Sequence, residues 1–426
     1  MTSTDGPAPA FPTVLPPWDA PDDLRITGVR CIVTAPEGMP LVVVRVDTTD
    51  PGLYGLGCAT FTQRYAAVVE YVEQHLARLL IGRDPGDIED IGRSAHLSAY
   101  WRNGPVANNA LSGIDMALWD ILGKRTGMPV YRLLGGRVRT AVPTYTHASG
   151  ATIEDTLEQA QAFIEQGWQH LRLQVGQRGI GTYGAPGTAG GYPGAANPDG
   201  WSVSDYLASA PELFARARTE LGEEVNLLHD VHSRLTPKQA IMLARSLEPY
   251  RLFFLEDVLA PEHFDRLPEV RAASPVPIAV GELCTSMTEA ARLISDGGVD
   301  LIRCHISTIG GLTPARKLAT LAELHGVQTA WHSPADVSPV GAAANVAIDV
   351  TSAAFGIQEC HVYPEAVHEI FPGTLPVENG YMRPNEAPGW GIDIDEKAAA
   401  AHPPVRSGHD QWALGVRGTD GALFAP

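Results

Sequence analysis

Residues 227–235 read LLHDVHSRL, residues 253–256 read FFLE, and residues 278–282 read IAVGE. Each is a short apolar run that closes on a carboxylate: Asp230, Glu256 and Glu282. The spacing is 26 residues (230 to 256) and 26 again (256 to 282). One strand, loop and helix of an α/β barrel takes up about that length, so the three acids fall at equivalent places on three neighbouring strands. The C-terminal rim of such a barrel is where its catalytic groups gather.

The rest of the chain supplies the remaining repeats. Candidate buried strands are Ala141–Thr146, His170–Val175, Val225–His229, Leu252–Leu255, Pro277–Val280, Leu301–Cys304, Val327–Trp331 and Phe355–Gln358. Amphipathic patterns such as Ile153–Gln166, Pro237–Leu247, Thr288–Asp296 and Thr313–His325 separate them. Strands and helices alternating in this way predict a barrel in preference to an open sheet. Before it, Ile26–Val33 and Leu41–Asp47 read as strands. A helix over Pro105–Lys124 follows, with Pro105 in its first turn and Gly127 beyond its end. The expected organisation is a Pro-rich disordered tail (1–22), an α+β capping domain (23–140), the barrel (141–375), and a C-terminal segment (376–426) completing the capping region. The barrel carries a long Gly/Pro/Ala-rich loop at 177–204, read as a lid. Trp390 and Trp412 are candidate anchors of the C-terminal segment.

Three converging carboxylates would repel and raise one another's pKa. A single strand-end acid more often caps a helix or pairs with an arginine, but three in phase point to a cation. Oxygen-only ligation with open positions for water suits Mg²⁺. Later strand ends continue the series with Arg303, His332 and Glu359, joined by His305 and by Asp336 in WHSPADVSP. Strand alternation turns His232 to the same side as Asp230, and His229 to the other side as a structural residue.

Formal charge is −18 with 19% charged residues, which argues against nucleic acid or an anionic membrane as partner. No apolar run is long enough to span a bilayer. Five scattered cysteines without a CxxC pair, and a terminus lacking the charged and apolar regions of a signal peptide, point to the cytoplasm.

At these residues the chain resembles the enolase superfamily, and within it the mannonate dehydratase-like group of sugar-acid dehydratases. The resemblance rests on NNALSGIDMALWDILGKRTGMPVYRLLGG, HDVHSRL, FFLEDVLAPE, PIAVGEL, IRCHISTIGGLTPARKLA, TAWHSPADVSPVG and FGIQE. It implies a (β/α)7β modified TIM barrel with an α+β capping domain, usually in a homo-oligomer. It implies a lyase in which Asp230, Glu256 and Glu282 hold Mg²⁺ and a sugar acid loses its C2 proton. A metal-stabilised enediolate then expels the 3-hydroxyl to give a 2-keto-3-deoxy acid. By the same resemblance Tyr183 is the base, its phenolate favoured by Arg172, and His232 is the acid. His332 is the next candidate base. The resemblance also implies that His147, Arg303, His332, Asp336 and Glu359 are substrate-contacting or site-orienting positions, with Thr62 at a substrate-binding place in the cap.

The departures bear on the substrate. Thr62 in GLGCATFTQR stands where the group carries Asn. WHSPAD replaces WHGPGD, and Cys284 replaces an aromatic residue. Metal and proton chemistry look retained, whereas the walls that select the sugar differ. D-mannonate and D-gluconate are the default substrates. Two other readings stay open: an epimerase, racemase or dehydratase for another hydroxy acid, and a non-catalytic metabolite-binding or regulatory protein. The absence of a Lys-x-Lys pair at Arg172-Leu-Gln174 weighs against a racemase.

Overall fold

The computed structural model describes residues 24–180, 199–405 and 416–424. The tail at 1–22, residues 181–198 of the lid, Tyr183 and Trp412 lie outside the described residues.

Three antiparallel strands open the capping domain: β1 (Ile26–Thr34), β2 (Leu41–Thr48) and β3 (Tyr54–Cys58). The third was not expected, since YGLGC carries two glycines, which are poor strand residues. The structure gives the reason for them. A Cβ at Gly55 would sit 1.9 Å from the Ala117 carbonyl oxygen, and one at Gly57 the same distance from that of Gly113. The strand backbone lies directly on the helix Pro105–Thr126, which begins on Pro105 and ends on Gly127 in the left-handed conformation (φ 67°). Burial here extends to Asn109, Ser112, Asp115 and Asp120 as well as the apolar stripe, because the helix is clasped between sheet and barrel.

The barrel strands are β4 (Val142–Gly150), β5 (His170–Val175), β6 (Asn226–Asp230), β7 (Phe254–Glu256), β8 (Ile278–Val280), β9 (Leu301–Ile302), β10 (Gln328–Thr329) and β11 (Gln358–Glu359). All pair in parallel and in order from β4 to β10. β11 returns to β4 through Gln358–Thr144 and Glu359–Tyr145, while a Thr329–Phe355 bridge joins the segment leading into β11 to β10. The ring is therefore closed, with seven intervening α-helices among the described residues, a (β/α)7β barrel. The helix Val203–Leu221 begins inside the span read as lid, so that connection ends sooner than expected. A hairpin of β12 (Val377–Glu378) and β13 (Tyr381–Met382) continues the sheet antiparallel to the start of β4.

Within the barrel, Tyr145, Leu228, Phe254, Ala279, Leu301, Ala330 and Ile357 form one buried apolar layer. On six of the strands the residue two positions on is His147, Asp230, Glu256, Arg303, His332 or Glu359. The twofold alternation of a strand thus stacks a polar ring on an apolar floor. Glu282 is the exception, three residues beyond Ala279. The strand stops at Val280, and Gly281, at φ 147°, makes the turn that brings the carboxylate inward.

Cap and barrel are joined by buried polar contacts. Asp115, on the cap helix, accepts from the Thr313 amide (2.9 Å) at the start of the helix Leu312–His325, whose own N-cap is Gly311 and offers no side chain. That supplies an orphan helix amide from another element. Asp120, fully buried, accepts from the Leu56 amide (3.0 Å), the Trp390 amide (2.9 Å) and Lys124 Nζ (2.7 Å). Trp390 in turn donates its indole N–H to the carbonyls of Leu56 (3.0 Å) and Met116 (3.2 Å), so it anchors the C-terminal segment as expected. Asp120→Ala strands two buried amides and an ammonium. It is expected to cost about 3 kcal/mol, read as a lower denaturation midpoint in urea.

Candidate active site at the barrel rim

Glu256 lies at the centre of the polar ring. Arg172, from β5, places Nη1 2.8 and 2.9 Å from its two oxygens, and Arg303, following β9, places Nε 2.8 Å from Oε1. Arg172 also stands 3.6 Å from Asp230 and 3.5 Å from Glu359. Glu359 accepts from Arg303, from His147 (2.7 Å) and from the Ser333 amide (2.7 Å). The Arg303 Nη1 lies 3.5 Å from Glu282, and Tyr145 receives an N–H from its Nε at 3.1 Å. Gln174 holds the Asp230 carbonyl at 2.9 Å, fixing the end of β6.

Burial opposes ionisation throughout this ring, and the neighbours decide the outcome at each member. For Glu256 burial prevails over Arg172 and Arg303, and its pKa rises to about 8. For Glu359 burial is overcome by Arg303, His332 and Arg172, which hold the carboxylate well below its usual range. Glu282 is likewise brought down against burial, by His332, Arg303 and His232. Burial alone would lower the His332 pKa, but Glu282 and Glu359 outweigh it and hold it up at about 10. The Nδ1 of His332 faces both Arg303 Nη1 (2.6 Å) and Glu282 (3.1 Å) and cannot serve as acceptor and donor at once. With two carboxylates against one guanidinium, the imidazolium is the favoured form. His147 goes the other way: burial and Arg172 lower it to about 4, so it is neutral at neutral pH.

The structure joins nine of the expected residues in one network: His147, Arg172, Asp230, Glu256, Glu282, Arg303, His332, Asp336 and Glu359. Asp336 approaches His332 Nε2 at 3.7 Å and His305 Nε2 at 3.9 Å. Thr62 opens the short turn Thr62–Arg64 beyond β3, buried, with a hydroxyl that has no hydrogen-bond partner. It belongs to the edge of the cap that meets the barrel, where the Ser307 hydroxyl donates to the Cys58 carbonyl at 3.3 Å. His229 faces away from the ring, bonded to the Tyr206 hydroxyl (2.8 Å) and the Leu173 carbonyl (3.0 Å).

The alternation argument for His232 does not hold. β6 ends at Asp230, and His232 and Ser233 both adopt positive φ (57° and 64°). The His232 amide donates to Asp230 Oδ1 at 2.7 Å, and Arg234 faces its Nδ1 at 3.2 Å. A left-handed turn tied to the carboxylate, and not strand geometry, sets this side chain at the rim.

Asp257 was missed. By alternation the residue after Glu256 should point out of the barrel, but its φ is 41°, and its carboxylate lies within 4.8 Å of those of Glu256 and Glu282. The pKa of Asp257 is raised well above normal by burial and then by Glu282 and Glu256. The one signal in the sequence is the acidic pair in FLED.

Comparison with known proteins agrees with this geometry. Residues 155–398 match the profile "Enolase C-terminal domain-like", and residues 22–135 match "Mandelate racemase / muconate lactonizing enzyme, N-terminal domain". A "D-galactonate dehydratase family member" from Catenulispora acidiphila is 65% identical over 420 residues, covering 99% of this chain and 98% of that protein. The member RspA from Pantoea ananatis is 48% identical, over 95% of this chain and all of its own length. A crystal structure of an enolase from Pantoea ananatis with bound D-gluconate and Mg superposes with a TM-score of 0.89 at 48% identity, covering 95% of this chain and 100% of that one. These relatives carry the D-galactonate name in place of the mannonate one that the motifs suggested. The chain belongs to the enolase superfamily, as a member of its D-galactonate dehydratase family.

Proposed function

We propose that this chain is a magnesium-dependent sugar-acid dehydratase, a carbon–oxygen lyase that converts an aldonate into its 2-keto-3-deoxy acid. The observation that carries the reading is the buried ring itself, where Asp230, Glu256 and Glu282 present only oxygen donors beside an imidazolium and two guanidinium groups. Such a donor set fits a hard divalent cation, and burial, which outweighs Arg172 and Arg303 at Glu256 and disfavours its ionised form, is what a cation beside it would offset. The chemistry a magnesium ion supplies there is positive charge against the substrate carboxylate as the C2 proton leaves.

The chain's own groups do the rest. Tyr183, placed by the family resemblance, takes the C2 proton, with Arg172 favouring its phenolate. His232 gives a proton to the departing 3-hydroxyl. Arg303, His147 and the Ser333 amide keep Glu359 fixed and ionised, so that it orients hydroxyl groups of the substrate. His332 and Asp336 stand on the same side for the distal hydroxyls, and Thr62 reaches from the cap. D-gluconate leads the candidates, since it is the ligand of the Pantoea ananatis relative, followed by D-mannonate and D-galactonate. The enzyme is expected to be cytoplasmic, consistent with its five free thiols, and homo-oligomeric, which light scattering on the eluted protein would measure.

Incubation of the protein with Mg²⁺ and a panel of aldonates and aldarates should yield 2-keto-3-deoxy acid from at least one. No product from any of them would overturn the dehydratase reading, and C2 deuterium exchange without product would point to an epimerase. Glu256→Gln should lower kcat/KM by more than about a hundredfold and abolish Mg²⁺ binding in calorimetry. Tyr183→Phe should stop C2–H exchange in deuterium oxide; persistence of exchange would move the base to His332.

A further inference from the structure

Asp257 has no part in the mechanism above, yet it is built into the rim with care. It is 3% exposed, and its Oδ1 is buried without a hydrogen-bond partner. Its carboxylate lies within 4.8 Å of those of Glu256 and Glu282. A buried carboxylate oxygen left unpaired costs free energy, and its orientation toward two other acids adds repulsion. The backbone is held to that orientation. The Asp257 amide donates to the Ala279 carbonyl (3.0 Å), and its own carbonyl accepts from the Ser233 amide (2.7 Å). Those two bonds lock φ at 41°, a left-handed value that Asp adopts at some cost. A relaxed extended backbone would carry the side chain away from the barrel interior. The fold thus spends strain to turn a third carboxylate of this cluster inward, against its neighbours.

We propose that Asp257 is a positioning residue of the cation site, an outer carboxylate that accepts a hydrogen bond from a water molecule held on the cation. Magnesium parts with its waters reluctantly and is commonly bound with several retained, so acceptors for their protons are part of a good site. Asp230, Glu256 and Glu282 supply the direct oxygens, and Asp257, with its Oδ1 unpaired and its carboxylate within 4.8 Å of two of them, receives such a proton. This inference rests on the assignment of those three acids as the cation site.

The test is metal affinity in the full-length protein without substrate, measured by calorimetric titration with Mg²⁺ and by titration with Mn²⁺ followed by its paramagnetic resonance. Asp257→Asn keeps the shape and tolerates the left-handed backbone, and Asp257→Gly removes the side chain at a backbone angle glycine adopts freely. Both variants are expected to bind each metal about tenfold or more weakly than the wild type, with far-ultraviolet circular dichroism unchanged. Unchanged affinity in whichever variant keeps its wild-type dichroism would overturn the role of Asp257. Glu256→Gln serves as the reference. If the wild type binds no metal, or if Glu256→Gln binds as well as the wild type, the assignment of the three-acid site fails, and with it this inference. If Glu256→Gln loses binding while the Asp257 variants retain it, only the present inference fails.

Discussion

Arg172 and Arg303 are the two groups on which the barrel rim depends. Four carboxylates, the buried Asp230, Glu256 and Glu359 and the half-buried Glu282, crowd into one ring, and no such cluster can stay ionised without positive charge among them. Arg172 reaches Glu256, Asp230 and Glu359 from β5, and Arg303 reaches Glu256, Glu359 and Glu282 from the opposite side. Glu359 is fully compensated and ionised, with His147 and the Ser333 amide completing its shell. At Glu256 burial outweighs the two arginines and raises the pKa, and at Asp257 burial, then Glu282 and Glu256, do the same. A divalent cation beside these carboxyls would favour their ionised forms against burial, so the ring that the two arginines make possible also suits a cation.

Around that ring the backbone departs from regular geometry where side chains must be aimed. His232, Ser233 and Asp257 are non-glycine residues at positive φ, and they are bonded together through the Ser233 amide and the Asp257 carbonyl. Gly281 supplies the corresponding bend on β8 for Glu282, and a Cβ there would press on the Arg303 backbone at 3.0 Å. Strain of this kind persists only where surrounding contacts over-determine it. Here the floor of apolar side chains beneath the ring, from Tyr145 round to Ile357, gives the strand ends a rigid base. The polar members can then be held in positions that their local sequence does not favour.

The capping domain enters through backbone proximity and a few buried carboxylates. Gly55 and Gly57 let β3 lie on the cap helix, Asp120 gathers β3, the helix and the C-terminal segment, and Asp115 reaches across to the helix that follows Arg303 on the barrel. The cap is thereby fixed relative to the strand ends that carry Arg303 and Glu282.

Much of this was legible beforehand. The 26-residue phase of Asp230, Glu256 and Glu282 located the rim, because strand–helix repeats have a characteristic length and apolar runs mark strands irrespective of partners. The strand-end places of Arg303, His332 and Glu359 continued the same series, Arg172 came from the family resemblance, and helix limits at Pro105 and Gly127 from local backbone preference. What lay beyond the sequence was everything that depends on neighbours from distant segments. β3 was invisible because its glycines serve a contact with Gly113 and Ala117, some sixty residues away. His232 reaches the rim by a left-handed turn set by Asp230, and Asp257 turns inward because Ala279 and Ser233 hold its backbone there. Local sequence fixes periodicity, and periodicity determines which residues share a face. Only the folded chain decides the balance of charge at each carboxylate, since that balance is summed over groups brought together from eight separate strands.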